Sequence, residues 1–365
     1  MKNVACLSLA RRRFLCGLVA TLSVAAPLLA GCESGQKTAT TSNAPSSEPV
    51  MVRLAFFPNL THAAALYGTG TGSFQKAFGE SAKIEERVFT AGPAEIEALF
   101  AGEVDLGYIG PGPAINGYLK SNGDSLKIIS GAASGGAALV ARADAPIKSV
   151  ADLAGKSVSV PQKGGTQDLS LHHAIRTAGL APKDKGGNVT ILDFAPADTL
   201  SQFQQKRIDA AWVPEPWVTR LEKETGAKVV TDERTLWKDG KFSTAVVVVR
   251  SAFLKEHPAL VAKFLAAHEA AIAEINENPD VARKVIGSRI KDLNSGKGIP
   301  DDVLKTAFSR MEITADPLKD SVLTFADWSK EAGYLRQDRS ALTGLFADIP
   351  KVAQTASLNS VGKGK

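Results

Sequence analysis

Five short segments of this sequence contain the residue types needed to bind a small anion. Each is rich in Gly, Pro, Ser, Thr or Asn and connects an apolar stretch with a predicted helix or strand. Glycine lets a backbone N–H approach a ligand closely, hydroxyl groups donate hydrogen bonds, and the unpaired N–H groups at a helix N-terminus attract negative charge. We call the segments elbow 1 (59–62, NLTH), elbow 2 (110–112, GPG), elbow 3 (134–136, SGG), elbow 4 (164–168, GGTQD) and elbow 5 (214–217, PEPW). Together they predict a recognition pocket for a small oxyanion.

The same residues have simpler structural explanations, and the sequence shows no sign of catalysis. Thr61, Thr166 and Asp168 are residue types that cap helices. The Gly-Gly pair of elbow 4 lacks the following Lys-Ser/Thr of a nucleotide-binding loop. His172 and His173 are adjacent on a predicted helix and point about 100° apart, which is poor geometry for a metal. Since no Ser-His-Asp arrangement, carboxylate pair or metal-ligand spacing stands out, we expect no catalytic residue, no metal and no cofactor.

Strand-like and helix-like segments alternate from residue 51 to about residue 250, which predicts an α/β fold with mostly parallel sheets. Predicted strands at 52–57 and 104–109 run into elbows 1 and 2, and strands at 156–160 and 208–213 precede elbows 4 and 5. In such sheets, ligands bind beyond the carboxyl ends of the strands, where these elbows lie. From Ala252 onward the pattern is helical, and we expect no further strand.

Two correlated patterns indicate that the chain contains two similar halves. DLGYI (105–109) before GPGP matches DAAWV (209–213) before PEP, because each has an acidic residue, an aromatic residue three positions later and a Pro-rich turn. The apolar segments 137–142 and 245–250, which both end in Arg, form a second pair. We predict that these two segments cross between two lobes and serve as the hinge. About 300 residues are enough for two lobes with separate cores.

The N-terminal segment resembles the leader of an exported lipoprotein. A basic start with 11–13 (RRR) precedes an apolar run that ends in 29–32 (LAGC), the pattern of a bacterial lipobox. The resemblance implies a signal peptide over residues 1–31, lipid on Cys32, and a membrane-anchored protein in the periplasm or at the cell surface. A secreted protein with a chance cysteine is the alternative, and 11–15 (RRRFL) suits either twin-arginine or general export. Residues 33–49 contain no large apolar residue and predict a flexible tether.

Charge and cysteine content exclude several functions for the mature chain. Residues 1–31 contribute four positive charges and no acidic residue, so the net charge of +5 falls to +1 after cleavage. With no dense basic run left, binding to nucleic acid is not expected. The three cysteines, Cys6, Cys16 and Cys32, lie in the leader or directly after it. The mature body therefore offers no thiol for a disulfide, a thiolate metal site or a nucleophile.

Five blocks of the chain together resemble the nitrate/sulfonate/taurine family of periplasmic solute-binding proteins, and most of all its aliphatic-sulfonate branch. The blocks are RLAFFPNLTHAAALYG, TAGPAEIEALFAGEVDLGYIGPGPAINGYL, ISGAASGGAALVAR, VSVPQKGGTQDLSLHHAI and DAAWVPEPWVTRL. The resemblance implies a two-lobe periplasmic binding protein fold of type II, with two crossing segments, a helical C-terminal part and the ligand between the lobes. The pocket residues it implies are Asn59, Thr61 and His62 in elbow 1, Gly110 and Gly112 in elbow 2, Ser134 in elbow 3, Gly165, Thr166 and Gln167 in elbow 4, and Glu215 and Trp217 in elbow 5.

We accordingly assign lobe 1 to residues 50–140 plus 250–350, lobe 2 to residues 141–249, and a tail to residues 351–365. The function that the resemblance implies is that of a monomeric, non-enzymatic receptor that delivers a small anionic solute, an aliphatic sulfonate, to the permease and ATPase of an ABC importer. Nitrate, taurine and a thiamine-precursor pyrimidine are alternative ligands, because the carboxylates of Glu215 and Asp168 would repel a sulfonate that they faced. A sensor partnered with a histidine kinase would need the same clamp. A pyrimidine-synthase-like enzyme is disfavoured because its chemistry uses a cysteine-rich motif.

Overall fold

The computed structural model describes residues 48–350, and within them no helix combines the length and the hydropathy needed to cross a membrane. The predicted leader, Cys32, nearly all of the tether and the tail 351–365 lie outside the described residues. The strands, in chain order, are β1 (Val50–Phe56), β2 (Ala82–Val88), β3 (Leu106–Ile109), β4 (Leu126–Gly135), β5 (Ala137–Ala141), β6 (Ser157–Val160), β7 (Thr190–Asp193), β8 (Ala210–Pro214), β9 (Lys228–Asp232), β10 (Ser243–Arg250) and β11 (Met311–Ile313). The α-helices are α1 (Ala63–Gly70), α2 (Ser73–Phe78), α3 (Gly92–Phe100), α4 (Pro111–Lys120), α5 (Thr166–Thr177), α6 (Pro196–Gln204), α7 (Trp217–Thr225), α8 (Ser251–Glu256), α9 (Pro258–Glu277), α10 (Pro279–Leu293), α11 (Asp301–Phe308) and α12 (Lys319–Glu331).

Two mixed sheets divide this part of the chain into two lobes. The sheet of lobe 1 has six strands in the order β11-β4-β10-β3-β1-β2, and the sheet of lobe 2 has five in the order β7-β6-β8-β5-β9. β1 runs parallel to β2 and β3, and β6 runs parallel to β7 and β8. β10 and β5 take equivalent antiparallel positions next to β3 and β8. The two halves are therefore built alike, as the paired sequence patterns predicted.

The paired acidic and Arg residues of these patterns meet in the fold. Asp105 precedes β3, and its carboxylate accepts a hydrogen bond from the guanidinium of Arg250 at 2.6 Å. Asp209 precedes β8 and lies 3.6 Å from Nη2 of Arg142, which directly follows β5. In both lobes the Arg backbone N–H also donates to the Asp carbonyl oxygen at 2.9 Å. Each pair thus fixes the register between a parallel strand and the antiparallel strand beside it.

Apolar side chains form separate cores on the two faces of each sheet. Residues 246–249, four consecutive valines of β10, are fully buried because the strand is central and helices cover both faces of its sheet. Proline is the first or second residue of α3, α4, α6, α9 and α10, where its fixed φ angle favours helix initiation. The strands β1, β3, β6 and β8, which precede elbows 1, 2, 4 and 5, present their carboxyl ends to the gap between the lobes.

The predicted hinge and the predicted absence of a late strand are wrong. The segments 137–142 and 245–250 do not cross between lobes, because β5 lies within the lobe 2 sheet and β10 within the lobe 1 sheet. The chain changes lobe instead at Gly135 and Gly136, both at positive φ, and again within residues 233–242, which moves the predicted lobe boundaries. An apolar strand pattern indicates burial but not which sheet supplies the partner. β11, too short for a recognisable alternation, pairs with β4.

Candidate functional site

Four of the five elbows meet between the lobes. β1 and β3 are neighbouring parallel strands, so elbows 1 and 2, which follow them, lie side by side at one edge of the lobe 1 sheet. β6 and β8 place elbows 4 and 5 side by side in lobe 2 in the same way. Hydrogen bonds across the gap join elbow 1 to elbow 5 and elbow 2 to elbow 4. We call elbows 1, 2, 4 and 5 the ring, since each follows a strand that neighbours another elbow's strand in its own lobe and each is hydrogen-bonded to an elbow of the other lobe.

Elbows 1 and 5 are joined by two hydrogen bonds. The backbone N–H of Leu60 donates to the carbonyl oxygen of Glu215 at 3.1 Å, and Nε1 of Trp217 donates to Oδ1 of Asn59, also at 3.1 Å. Asn59 and Trp217 are each only 6% exposed. The guanidinium of Arg220 covers the Trp217 ring at 4.6 Å from its centroid. The structure therefore describes lobes in contact, with the side chains of the ring shielded from solvent.

The glycines of elbow 2 permit the close approach of elbow 4. The backbone N–H of Gly112 donates to Oγ1 of Thr166 at 3.2 Å. A Cβ atom at Gly110 would lie 2.2 Å from the same Oγ1, and one at Gly112 would lie 2.8 Å from Cδ1 of Leu169. Gly165, in elbow 4 itself, is equally confined, since its Cβ would lie 2.9 Å from the carbonyl oxygen of Gln162. Contact between the lobes thus requires glycine at 110 and 112, a role that the sequence did not reveal.

His62 is held as a neutral ring with its proton on Nε2. Its Nδ1 accepts a hydrogen bond from the backbone N–H of Phe57 at 3.0 Å, and the two rings stack with their centroids 4.4 Å apart. Since a backbone N–H only donates, Nδ1 carries no proton. Burial lowers the pKa of His62 to about 3, because the charged ring would lose its hydration. His62 therefore offers one N–H donor and no positive charge at neutral pH.

The carboxylate of Glu215 is bound by groups outside the ring. It accepts hydrogen bonds from the backbone N–H of Thr219 at 3.1 Å and from Oγ1 of Thr219 at 2.9 Å. Nη1 of Arg310 lies 3.2 Å from it and also pairs with Glu222 at 2.6 Å. Burial raises the pKa of Glu215, while Thr219 and the charge of Arg310 oppose the rise. We predicted a negative charge at the pocket from Glu215. That charge is compensated by Arg310, which lies 95 positions further along the chain.

One carboxylate oxygen of Asp168 is also bound by protein groups. Its Oδ2 accepts hydrogen bonds from the backbone N–H of Gly164 at 2.7 Å and from the hydroxyl of Tyr334, a lobe 1 residue, at 2.6 Å. Burial raises the pKa of Asp168, and the neighbouring His172, whose Nε2 lies 3.5 Å from Oδ1, opposes the rise. Neither Arg310 nor Tyr334 could be found from the sequence, because no local pattern links them to the elbows.

Of the remaining predicted site residues, Thr61 and Gln167 lie in the ring and Ser134 does not. Thr61 and Gln167 are buried in elbows 1 and 4, and their side chains make no hydrogen bond within residues 48–350. Ser134 is the penultimate residue of β4 and lines a surface cavity of about 570 Å³. Elbow 3 reaches the ring through Gly136, whose carbonyl oxygen accepts a hydrogen bond from the backbone N–H of Glu215 at 2.8 Å. In the described part of the chain, no group of three or more His, Cys, Asp or Glu residues could hold a metal ion.

The ring contains neutral hydrogen-bond donors. His62 supplies Nε2–H, Asn59 supplies its amide NH₂, and Thr166 supplies a hydroxyl, while α5 and α7 begin at the ring. Helix N-termini add partial positive charge that favours an anion. These features suit binding of an oxyanion between the lobes without a covalent step.

Comparison with known proteins identifies relatives of this chain. The profile of the NMT1-like family matches residues 45–288. A binding protein of Brucella abortus (strain 2308) is 30% identical over 207 residues, which cover 57% of this chain and 62% of that protein. The chain therefore spans less than two thirds of the length of the Brucella relative. The taurine-binding periplasmic protein of Escherichia coli is 28% identical over 261 residues, which cover 69% of this chain and 78% of that protein.

A solved structure shows the same architecture. The alkanesulfonate-binding protein SsuA from Xanthomonas axonopodis pv. citri, bound to MOPS, superposes with a TM-score of 0.69 at 18% sequence identity. The superposition covers 83% of this chain and 100% of that chain. At this identity the likeness concerns the fold, and it confirms the two-lobe periplasmic binding protein fold that the sequence predicted.

Proposed function

The chain belongs to the NMT1-like family, and from that premise we propose that it is the solute receptor of an ABC importer. It captures an aliphatic sulfonate between its two lobes and delivers it to the membrane permease, which its ATPase partner drives. The observation that carries the proposal is the ring, in which elbows from both lobes meet through direct hydrogen bonds. A clamp of this kind encloses a ligand by movement of the lobes about the connections between them.

An aliphatic sulfonate suits the charges around the ring. The sulfonate needs hydrogen-bond donors, and the neutral donors of Asn59, His62 and Thr166 supply them without a salt bridge. Arg310 compensates the charge of Glu215, and the carboxylate of Asp168 accepts hydrogen bonds at Oδ2 from Gly164 and Tyr334. Taurine would also need an acceptor for its amine. The carboxylate of Glu215 is bound by Thr219 and Arg310, whereas Oδ1 of Asp168 accepts no hydrogen bond within residues 48–350. The ring therefore supplies donors for the sulfonate group that a simple alkanesulfonate and taurine share.

The N-terminal sequence supports a lipid anchor for the receptor. In our proposal, the leader is removed before Cys32, and lipid on Cys32 holds the protein at the membrane in the periplasm or at the cell surface, as a monomer. More than one acyl chain on a single residue gives durable anchoring. The tether 33–49 then lets the lobes reach the permease.

Thermal unfolding of the purified mature protein tests the function. A ligand that binds only the folded state stabilises it by about 2.7 kcal/mol at 100 times its Kd, which raises the melting temperature. The panel contains ethanesulfonate, taurine, nitrate and an aminopyrimidine. We expect ethanesulfonate to raise the melting temperature most. We also expect ethanesulfonate to be chemically unchanged when it is recovered from the complex. A rise in melting temperature with the pyrimidine alone would refute the sulfonate assignment. If no compound changed the melting temperature, the proposal that the protein is a solute receptor would be refuted.

Replacement of Thr166 tests whether the ring is the site. Thr166→Ala removes a donor to the anion, so we expect ethanesulfonate to bind at least about tenfold more weakly, with the unliganded melting temperature preserved. Thr177→Ala, at the far end of α5, is the matched control, since Thr177 bonds only to a carbonyl oxygen of its own helix in the described chain. Unchanged affinity of the Thr166 variant would remove elbow 4 from the site.

A further inference from the structure

Two buried acids of lobe 2 are each bound by one side chain from the C-terminal part of lobe 1. Glu215 lies in elbow 5, and Nη1 of Arg310, between α11 and β11, donates to its Oε1 at 3.2 Å. Asp168 ends elbow 4, and the hydroxyl of Tyr334, which follows α12, donates to its Oδ2 at 2.6 Å. Both acids are 0% exposed. The two contacts therefore join lobe 1 to the two elbows that lobe 2 contributes to the ring.

The two acids are an obstacle to binding an anion. A buried carboxylate without a partner is costly, and it repels an anion beside it. Elbows 1 and 2 of lobe 1 contain no acidic residue, whereas elbows 4 and 5 of lobe 2 contain one each. Arg310 supplies a positive charge to Glu215, and Tyr334 supplies a hydrogen bond to Asp168. Both of these partners come from the opposite lobe.

We propose that Arg310 and Tyr334 are positioning residues that hold lobe 2 closed over the ligand and so determine how slowly the ligand leaves. They act through Glu215 and Asp168 and need no contact with the ligand. The inference rests on the proposed function, because it concerns retention of a solute at that same site. It gives a role to the C-terminal part of lobe 1, which contributes no elbow to the ring. Both residues lie beyond residues 45–288, the part that the family profile matches.

The connection between the lobes makes the contact of Arg310 depend on closure. The backbone N–H of Gly136 donates to the carbonyl oxygen of Arg310 at 3.0 Å, and the carbonyl oxygen of Gly136 accepts from the N–H of Glu215 at 2.8 Å. The chain changes lobe at Gly136, so rotation there moves Arg310 with one lobe and Glu215 with the other. An open form returns both acids to water, where they need no protein partner. Release of the ligand must therefore break these bonds, whereas its first encounter with the open lobes does not.

Stopped-flow tryptophan fluorescence of the mature protein with ethanesulfonate tests the role of Arg310, because Trp217 lies in the ring. The dependence of the observed rate on ligand concentration gives the association and dissociation rate constants. Arg310→Met removes the bonds to Glu215 and Glu222. We expect dissociation at least about tenfold faster and association changed by less than about threefold. Arg310→Lys keeps the positive charge and should recover part of the loss.

Lys223→Met is the matched control for Arg310→Met. Lys223 of α7 pairs with Asp302 of α11, so it also joins the lobes through a positive charge. The side chains of this pair are 40% and 65% exposed, and exposed ion pairs contribute little. We expect both rate constants to stay within about twofold of wild type. Dissociation as fast as in Arg310→Met would overturn the specific role of Arg310.

Tyr334→Phe tests the second contact by removing a single oxygen atom. That hydroxyl donates to Asp168 and lies 3.3 Å from Nε2 of His172. We expect dissociation about threefold or more faster, with association preserved. Tyr118→Phe is the matched control, because the Tyr118 hydroxyl donates to the carbonyl oxygen of Thr343 within lobe 1, and its rate constants should not change. This measurement stands independently of how Arg310→Met folds, which the unliganded melting temperature shows.

A second substitution separates charge compensation from packing. In the Arg310→Met background, Glu215→Gln removes the uncompensated charge, and its amide oxygen still accepts the backbone N–H of Thr219. We expect the double variant to release ethanesulfonate more slowly than Arg310→Met alone. Equal or faster release would overturn the compensation of Glu215 by Arg310. Wild-type dissociation in both Arg310→Met and Tyr334→Phe would overturn the positioning role and leave the proposed receptor standing, whereas a wild-type protein that binds no ethanesulfonate would overturn both.

Discussion

Gly110→Ala should prevent the lobes from closing while leaving each lobe folded. The added methyl carbon would lie 2.2 Å from Oγ1 of Thr166 and 3.2 Å from its Cβ, across the gap between the lobes. The backbone at Gly110 has φ −69° and ψ 150°, which alanine adopts without strain. The clash therefore acts between lobes and not within one. Elbows 2 and 4 must separate by about 1 Å or more to restore an ordinary contact.

The size of the effect follows from two costs to the closed state. Inserting a methyl group into a packed contact costs about 1–3 kcal/mol. Separating the elbows also breaks the hydrogen bond from Gly112 to Thr166, which contributes about 0.5–1.5 kcal/mol. A total of about 1.5–4.5 kcal/mol weakens ligand binding by roughly 10-fold to 2,000-fold, because only the closed form holds the ligand.

Isothermal titration with ethanesulfonate measures this loss, and the unliganded melting temperature shows whether the lobes remain folded. Gly298→Ala is the matched control, since its methyl group would be 3.6 Å from the nearest atom, a side-chain carbon of Lys291. Adding Thr166→Ala removes the clashing oxygen, so the Gly110→Ala penalty should be smaller in that background. Affinity within about threefold of wild type, or an equal penalty in both backgrounds, would refute the reasoning.

Three further outcomes are expected. Burial raises the pKa of Glu233 from 4.5 to about 7. The unfolded chain releases this proton at lower pH than the folded chain does. The free energy of unfolding should therefore fall by about 3 kcal/mol as pH rises from 4.5 to about 7. Glu233→Gln should flatten that part of the slope in urea titrations, and an unchanged slope would contradict us. Both carboxyl oxygens of Glu95 are buried without a hydrogen-bond partner among the described residues, so Glu95→Met should raise the free energy of unfolding by about 1–3 kcal/mol; a lower value would be evidence against an unpaired acid. Cys32→Ser should move the protein from the membrane to the soluble fraction, and retention at the membrane would disprove the lipid anchor.

Much of the fold could be predicted because its signals are local. Apolar runs predicted the strands that carry elbows 1, 2, 4 and 5, and all four lie where those strands end. The recurrence of an acidic residue before β3 and β8, matched by an Arg at the end of two apolar segments, correctly indicated two similar halves. The prediction of strand partners was wrong where it needed more than local sequence patterns. The apolar pattern of segments 137–142 and 245–250 does not indicate which sheet they join, because a fully buried strand has the same pattern in either sheet.

The candidate site shows the same division between local and long-range information. The sequence by itself determined which residue types stand at the elbows and that a small anion suits them. Only the tertiary structure decided the state of those groups. Phe57 fixes the tautomer of His62, Arg310 compensates Glu215, and Trp217 occupies the acceptor of Asn59. A hydrogen-bond partner is set by distance and direction in space, so contacts between residues as far apart as 59 and 217 leave no trace in local composition or periodicity.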